Sequence, residues 1–163
     1  MSDRPYRVCF VCTGNICRSP MAEVVFRSHL ERAGLGRRVS VDSAGLGGWH
    51  VGDPPEHGTL EVLARHGLDG SGLRARQIRA DELAELDLVV ALDRGHAGAL
   101  RDLAGDDARP IRLLREFDPD ADGEDVPDPY GGPLEEFELV YEQIEAAMPG
   151  LLELVKASAP STS

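Results

Sequence analysis

An apolar run, Val8-Cys9-Phe10-Val11, passes without a linker into Cys12-Thr13-Gly14-Asn15-Ile16-Cys17-Arg18-Ser19. Pro20-Met21-Ala22-Glu23 follows and reads as the first turn of a helix. This is the opening of a β-α unit, with a thiol where the strand ends and an arginine where the helix begins. A loop of this kind can aim successive backbone N–H groups and a helix N-terminus at one point in space. That concavity suits a phosphate, and the same field favours thiolate over thiol. Arg18 adds a planar fork of donors able to grip two phosphate oxygens. The backbone of Thr13, Gly14, Asn15, Ile16, Cys17 and Arg18 is therefore the candidate phosphate cradle, and Cys12 the candidate nucleophile.

The rest of the chain repeats the alternation. Strands are expected at Arg7–Val11, Val39–Ala44, Leu86–Leu92 and Ile111–Leu114. Leu86–Leu92 is a near-continuous apolar run of the kind a parallel sheet buries on both faces. Helices are expected at 20–33, 56–66 and 93–103, the first with Ser19 as N-cap, Pro20 at its first position and Gly34 as its stop. A long acidic, proline-rich loop covers 118–133. The last helix places Leu134, Phe137, Tyr141, Ile144, Met148, Leu151 and Val155 three and four apart, with a break expected at Pro149-Gly150. The fold class is α/β, a parallel sheet with helices on both faces. One domain is expected over 1–157, with 158–163 as a disordered tail.

At 163 residues the chain can bury a substantial core. Its 29 acidic against 17 basic side chains give a formal net charge of −12, which argues against nucleic acid or an anionic membrane as partner. An anionic substrate must then be drawn by a local positive site. The N-terminal stretch is neither a signal peptide nor a membrane span. Three cysteines without secreted-scaffold spacing point to the reducing cytoplasm. A monomer is expected.

A free thiol titrates near about 8.5, so a nucleophilic Cys12 needs the loop amides, the helix N-terminus and Arg18 to hold it as thiolate. Ser19 can direct its hydroxyl at the sulfur. In-line attack on a phosphate monoester would give a cysteinyl-phosphate, its charge held by the loop N–H groups and Arg18 without metal or cofactor. The leaving oxygen needs a proton. The candidate donor is Asp128, flanked by two prolines in Val126-Pro127-Asp128-Pro129-Tyr130, acting as general acid and then as base toward water.

The stretch from Cys12 to Glu23 resembles the signature of the low-molecular-weight protein tyrosine phosphatases, especially those of actinobacteria. The similarity extends through Asp42-Ser43-Ala44-Gly45, Trp49-His50-Val51-Gly52, Ala75-Arg76-Gln77 and Val126-Pro127-Asp128-Pro129-Tyr130. It implies a four-stranded parallel sheet, Cys12 as nucleophile, Arg18 as clamp, Asp128 as general acid and phosphotyrosine-containing proteins as substrates. It also implies that Trp49 and Tyr130 wall the pocket for the substrate ring, and that Asn15 and Ser43 belong to a network bracing the loop. Three departures stand out. Gly131 follows Tyr130 where many relatives carry a second tyrosine, leaving one pocket edge smaller. Gly72, Leu73 and Arg74 stand where many have a histidine, which shortens the expected network. Ile16 stands where phosphoarginine-directed members carry threonine, and so favours phosphotyrosine.

Other readings compete. Cys12 and Arg18 could belong to an ordinary strand-to-helix turn, Asp128 to a solvated acidic loop, and Trp49 and Tyr130 to packing. Cys17 is either a loop-lining thiol or a redox partner whose disulfide with Cys12 would protect the nucleophile. Cys9-Phe10-Val11-Cys12 mimics a Cys-x-x-Cys pair, but Cys9 lies inside the strand and core packing is expected for it. Asp118-Pro119-Asp120-Ala121-Asp122-Gly123 mimics a calcium loop, yet Pro129 stands where the closing glutamate belongs. The alternatives at the level of function are a phosphocarrier or phosphate-binding module without turnover and a thiol-coupled arsenate reductase. The reductase needs cysteines after Cys17, and the chain has none.

Overall fold

In the computed structural model, which describes residues 4–105 and 110–159, the β-α unit read at the N-terminus seeds the sheet. Strands β1 (Tyr6–Cys12), β2 (Val39–Gly45), β3 (Leu88–Ala91) and β4 (Ile111–Leu113) pair in parallel in the order β2-β1-β3-β4. Strand β1 alternates its side chains between two cores. Val8, Phe10 and Cys12 face the larger one, built with helices α1 (Arg18–Arg32), α2 (His57–Arg65) and α5 (Leu134–Ser158). Cys9 and Val11 face the smaller one, built with α3 (Ala80–Leu83) and α4 (Arg94–Ala104). This is the four-stranded parallel sheet with helices on both faces. Cys9 is fully buried, and burial pushes its thiol well above the ordinary range, which fits a packing residue.

The chain leaves β1 toward β2 on one side and later returns to β3 on the other. The C-terminal end of β1 is therefore a switch point, where α/β sheets open a crevice for ligands. Helices α1 and α2 both stop at a left-handed glycine, Gly34 and Gly67. In each, the residue after the glycine donates back to the third-last helical carbonyl (Leu35 N to Leu30 O, Leu68 N to Leu63 O, both 2.8 Å).

Several expectations need correction. Helix α1 begins at Arg18 with Cys17 in the cap position, so Ser19 lies inside the first turn and is not the N-cap. Pro20 is tolerated there because the first four N–H groups of a helix lack intrahelical acceptors anyway. The apolar run 86–92 is longer than the strand it contains; Leu86 and Leu92 are buried, but only Leu88–Ala91 pairs. Helix α3 was not anticipated. Helix α5 runs unbroken through Pro149. A proline inside a helix costs about 3 kcal/mol. Ala147, Met148, Leu151 and Val155, all buried around it, offset that cost. Gly150 sits so close to Phe117 that a Cβ would lie 2.3 Å from its carbonyl oxygen. Of the expected tail, Ser158 is helical and 160–163 lie outside the described residues. Among the described residues no helix is long and apolar enough to cross a membrane.

Candidate active site

Cys12 ends the central strand β1, and the loop from Thr13 to Cys17 turns the chain into α1. This turn is possible because two backbones meet without side chains between them. A Cβ on Gly45, at the end of the neighbouring β2, would lie 2.9 Å from the carbonyl carbon of Gly14. The ladder continues past the strand, with Leu46 N donating to Cys12 O (2.9 Å) and Gly47 N to Thr13 O (3.0 Å).

Asn15 adopts the left-handed backbone at φ 60°, rare for a residue with a Cβ. Its amide holds it there. Nδ2 donates to Ser19 Oγ (2.8 Å) and Ser43 Oγ (3.0 Å), and Oδ1 accepts from Arg76 N (3.0 Å). Ser43 passes its own hydrogen to the buried Glu23 Oε1 (2.6 Å), whose other oxygen takes Arg27 Nη2 (2.6 Å). Among the described residues, the backbone N–H groups of Gly14, Asn15, Ile16 and Cys17 donate to no protein atom. Four free donors in one tight loop form a site for an anion.

Cys12 Sγ accepts from Ser19 N at 3.4 Å and lies 3.0 Å from Ser19 Oγ, a contact in which either atom can donate because the hydroxyl also reaches Ala44 O at 3.3 Å. Cys17 is different. Burial first, then the Cys12 sulfur, pushes its thiol up to about 12, so it stays protonated beside Cys12. Both are free thiols.

Arg18 is 4 % exposed and spends its donors in three directions. Nη1 donates to Asp93 Oδ2 and to Val126 O, both at 3.0 Å, and Nη2 to Thr13 Oγ1 at 3.3 Å. Asp93 follows β3 and caps α4; its Oδ1 accepts from His96 N at 2.8 Å. Val126 N in turn donates to Leu92 O (2.9 Å), which carries the acid segment to the same end of the sheet. Asp128 Oδ2 stands 3.8 Å from Arg18 Nη2, and its Oδ1 accepts from Tyr130 N (3.1 Å).

Cys12, Arg18, Asp128, Trp49 and Tyr130 thus open onto one cavity of about 190 Å³, with Thr13, Gly14, Ile16, Cys17 and His50 completing its lining. An engineered cavity of roughly 150 Å³ holds a benzene ring, so one aryl group fits. Trp49 is 74 % and Tyr130 59 % exposed, which rules out a core-anchor role for either. The Trp49 ring lies over Gly47, where a Cβ would come within 1.7 Å of it.

The loop, its serine, the two rim rings and the distant carboxylate are brought together; all were named from sequence. Missed were Asp93, His96, Glu23, Arg76 and His50. Asp93 carried a signal, an Asp directly after the strongest strand and before a helix. Glu23, His50 and Arg76 lay within the stretches that carry the resemblance but were given no part, and His96 carried no signal, because its part depends on which strands are neighbours.

The chain belongs to the low molecular weight phosphotyrosine protein phosphatase family, whose model matches residues 7–161. It is 56 % identical over 155 residues to a low molecular weight protein-tyrosine-phosphatase of Streptomyces coelicolor, covering 93 % of this chain and 94 % of that one. Low molecular weight protein-tyrosine phosphatase A of Mycobacterium bovis is 50 % identical over 157 residues, covering 95 % and 94 %. The crystal structure of YfkJ from Bacillus subtilis superposes with a TM-score of 0.89 at 41 % identity, over 95 % of this chain and 97 % of that one.

Proposed function

We propose that this chain hydrolyses phosphotyrosine in proteins through a cysteinyl-phosphate. The observation that carries the reading is the convergence on one cavity of a thiol held against the Ser19 amide and hydroxyl, a buried guanidinium and a carboxyl group 3.8 Å from that guanidinium. Donor counting says how phosphate would bind. Nη1 of Arg18 has both hydrogens in use and Nη2 turns one toward Thr13 Oγ1 and, less closely, His96 Nε2, leaving Nε–H and the other Nη2–H for two phosphate oxygens. The loop N–H groups of residues 14–17 would take the others.

The Cys12 sulfur attacks phosphorus as the P–O bond to the phenol breaks, and Asp128 gives its proton to the departing oxygen. Asp128 then takes a proton from water, the water oxygen bonds to phosphorus, and the S–P bond breaks to release phosphate. Ser19 would hold the sulfur as thiolate when it leaves. Trp49 and Tyr130 would flank the ring, and apolar Ile16 suits an aryl group. Asn15 and Ser43 would keep the loop in its left-handed turn. Once a peroxide has oxidised Cys12 to a sulfenic acid, the adjacent Cys17 thiol would condense with it, forming the S–S bond and releasing water, to give a protective disulfide. We place the protein in the cytoplasm as a monomer of one domain.

The test is turnover of an aryl phosphate in the presence of a chelator, with Cys12→Ser as control. Turnover survives chelation and falls by roughly four orders of magnitude or more in Cys12→Ser. Folded protein without turnover would replace the reading with a phosphate-binding or phosphocarrier role.

A further inference from the structure

His96 is buried behind the phosphate loop and takes no part in the reaction described above. Its Nε2 lies 2.9 Å from Thr13 Oγ1 and 3.5 Å from Arg18 Nη2. A guanidinium only donates, so the nitrogen facing it must be the acceptor. The imidazole proton is then on Nδ1, which is buried and faces Asp93 Oδ1 at 3.2 Å, off the line of an ideal hydrogen bond. Thr13 accepts from Arg18 Nη2 and has one hydrogen to give, which goes to His96 Nε2. Asp93 closes the circuit by accepting Arg18 Nη1 on its other oxygen.

We propose that His96, as a neutral imidazole, is a positioning residue for the phosphate clamp. It closes a ring of polar contacts, Arg18 to Thr13 to His96 to Asp93 and back to Arg18, and so fixes which N–H groups of Arg18 remain for phosphate. The inference rests on the phosphatase reading for its turnover measurement, but not for its binding measurement. His96 acts through Arg18 and touches no reacting atom.

The surroundings keep the imidazole neutral. Burial acts most strongly, and the Arg18 charge adds to it. Asp93, Asp128 and Asp125 pull the other way, and the balance leaves His96 pushed down to about 4. Protonation would set an Nε2–H against the Arg18 Nη2 donor and open the ring. Because the folded value lies below the unfolded one of roughly 6.5, the stability His96 contributes is present above that pH. It is lost as pH falls toward about 4.

The experiment measures the dissociation constant of inorganic phosphate by calorimetry and kcat/KM for an aryl phosphate in wild type, His96→Ala, His96→Gln and Thr13→Val. Hydrogen bonds to charged groups are worth enough to expect losses of roughly 10- to 100-fold in both quantities for His96→Ala. Gln offers an acceptor oxygen to Thr13 and Arg18, so His96→Gln returns to within about fivefold of wild type. Thr13→Val matches His96→Ala, and combining them adds little further loss. The fall in Tm between pH 6.5 and 4 is shallower in His96→Gln than in wild type. Wild-type phosphate affinity in folded His96→Ala overturns the proposal. So do equal losses in Ala and Gln accompanied by a lowered Tm, which mark a packing residue, and so does an unchanged Tm slope. Should His96→Ala not fold, His96→Gln and Thr13→Val decide the matter. A wild type that binds phosphate without turnover defeats the phosphatase reading alone, and the phosphate constants still decide the role of His96.

Discussion

The phosphate loop and the acid segment meet at one cavity but are built by opposite means. From Cys12 to Ser19 nearly every side chain is buried, and a network through Asn15, Ser43, Glu23 and Arg76 N ties the loop to α1, β2 and the 75–77 segment. From Val126 to Tyr130 only Val126 and Pro129 are buried, and the side chain of Asp128 is 54 % exposed. Its anchorage is Val126, which receives from Arg18 and gives to Leu92, plus the local turn from Tyr130 N to Asp128. One region must present fixed donors to a dianion, and preorganised donors act without reorganisation at the moment of reaction. In the proposed reaction the other approaches a leaving oxygen, gives up a proton and takes one back from water, which a partly solvated carboxyl on a proline-bounded loop can do.

Substitutions can separate the two roles. The largest effect is expected for Asp128→Asn, which removes the proposed proton donor and leaves the loop untouched. Its kcat should fall by about 10²- to 10⁴-fold, less for phenols acidic enough to leave unprotonated, with inorganic phosphate binding as in wild type. A matching loss of phosphate affinity would erase the distinction between the regions. Asn15→Ala strikes the other side. It removes three hydrogen bonds and puts alanine in a left-handed turn, so denaturant unfolding should show a loss of about 3 kcal/mol. Phosphate affinity and kcat should fall together, because both depend on the same donors. Trp49→Ala is the mildest. If this exposed ring only flanks the substrate, as proposed, its loss should cost a few-fold in KM for a phosphotyrosine peptide, roughly 1 kcal/mol, with kcat nearly unchanged.

What the sequence revealed follows the same division. The phosphate loop was legible because its chemistry is contiguous, with strand, thiol, loop, arginine and helix following one another in the chain; the left-handed turn at Asn15 inside it was not read. Asp128 was legible through its flanking prolines and its resemblance to a known segment. Asp93 and His96 were not assigned a part, because nothing local says that the end of β3 lies beside the end of β1. That follows only from the order β2-β1-β3-β4. Glu23 entered the sequence reading only as part of a first helical turn and of the resembling stretch, yet it is buried under Ser43 and Arg27. The break expected at Pro149 failed for a related reason. Local preference opposed the helix there, and burial on either side of the proline outweighed it.

The ties that hold Arg18 also impose a schedule on synthesis. Its carboxylate partner lies 75 residues further along the chain and its carbonyl partner 108 residues further. At a translation rate of about 5–20 residues per second, the nucleophile leaves the ribosome roughly 5 to 20 s before the last of its clamp. Over that interval Cys12 is a cysteine on a nascent chain without the segment that carries Asp128, and for most of it without the sheet neighbour β3 as well. Reactivity arrives with the completed sheet, so a prematurely ended chain carries a thiol without the means to use it.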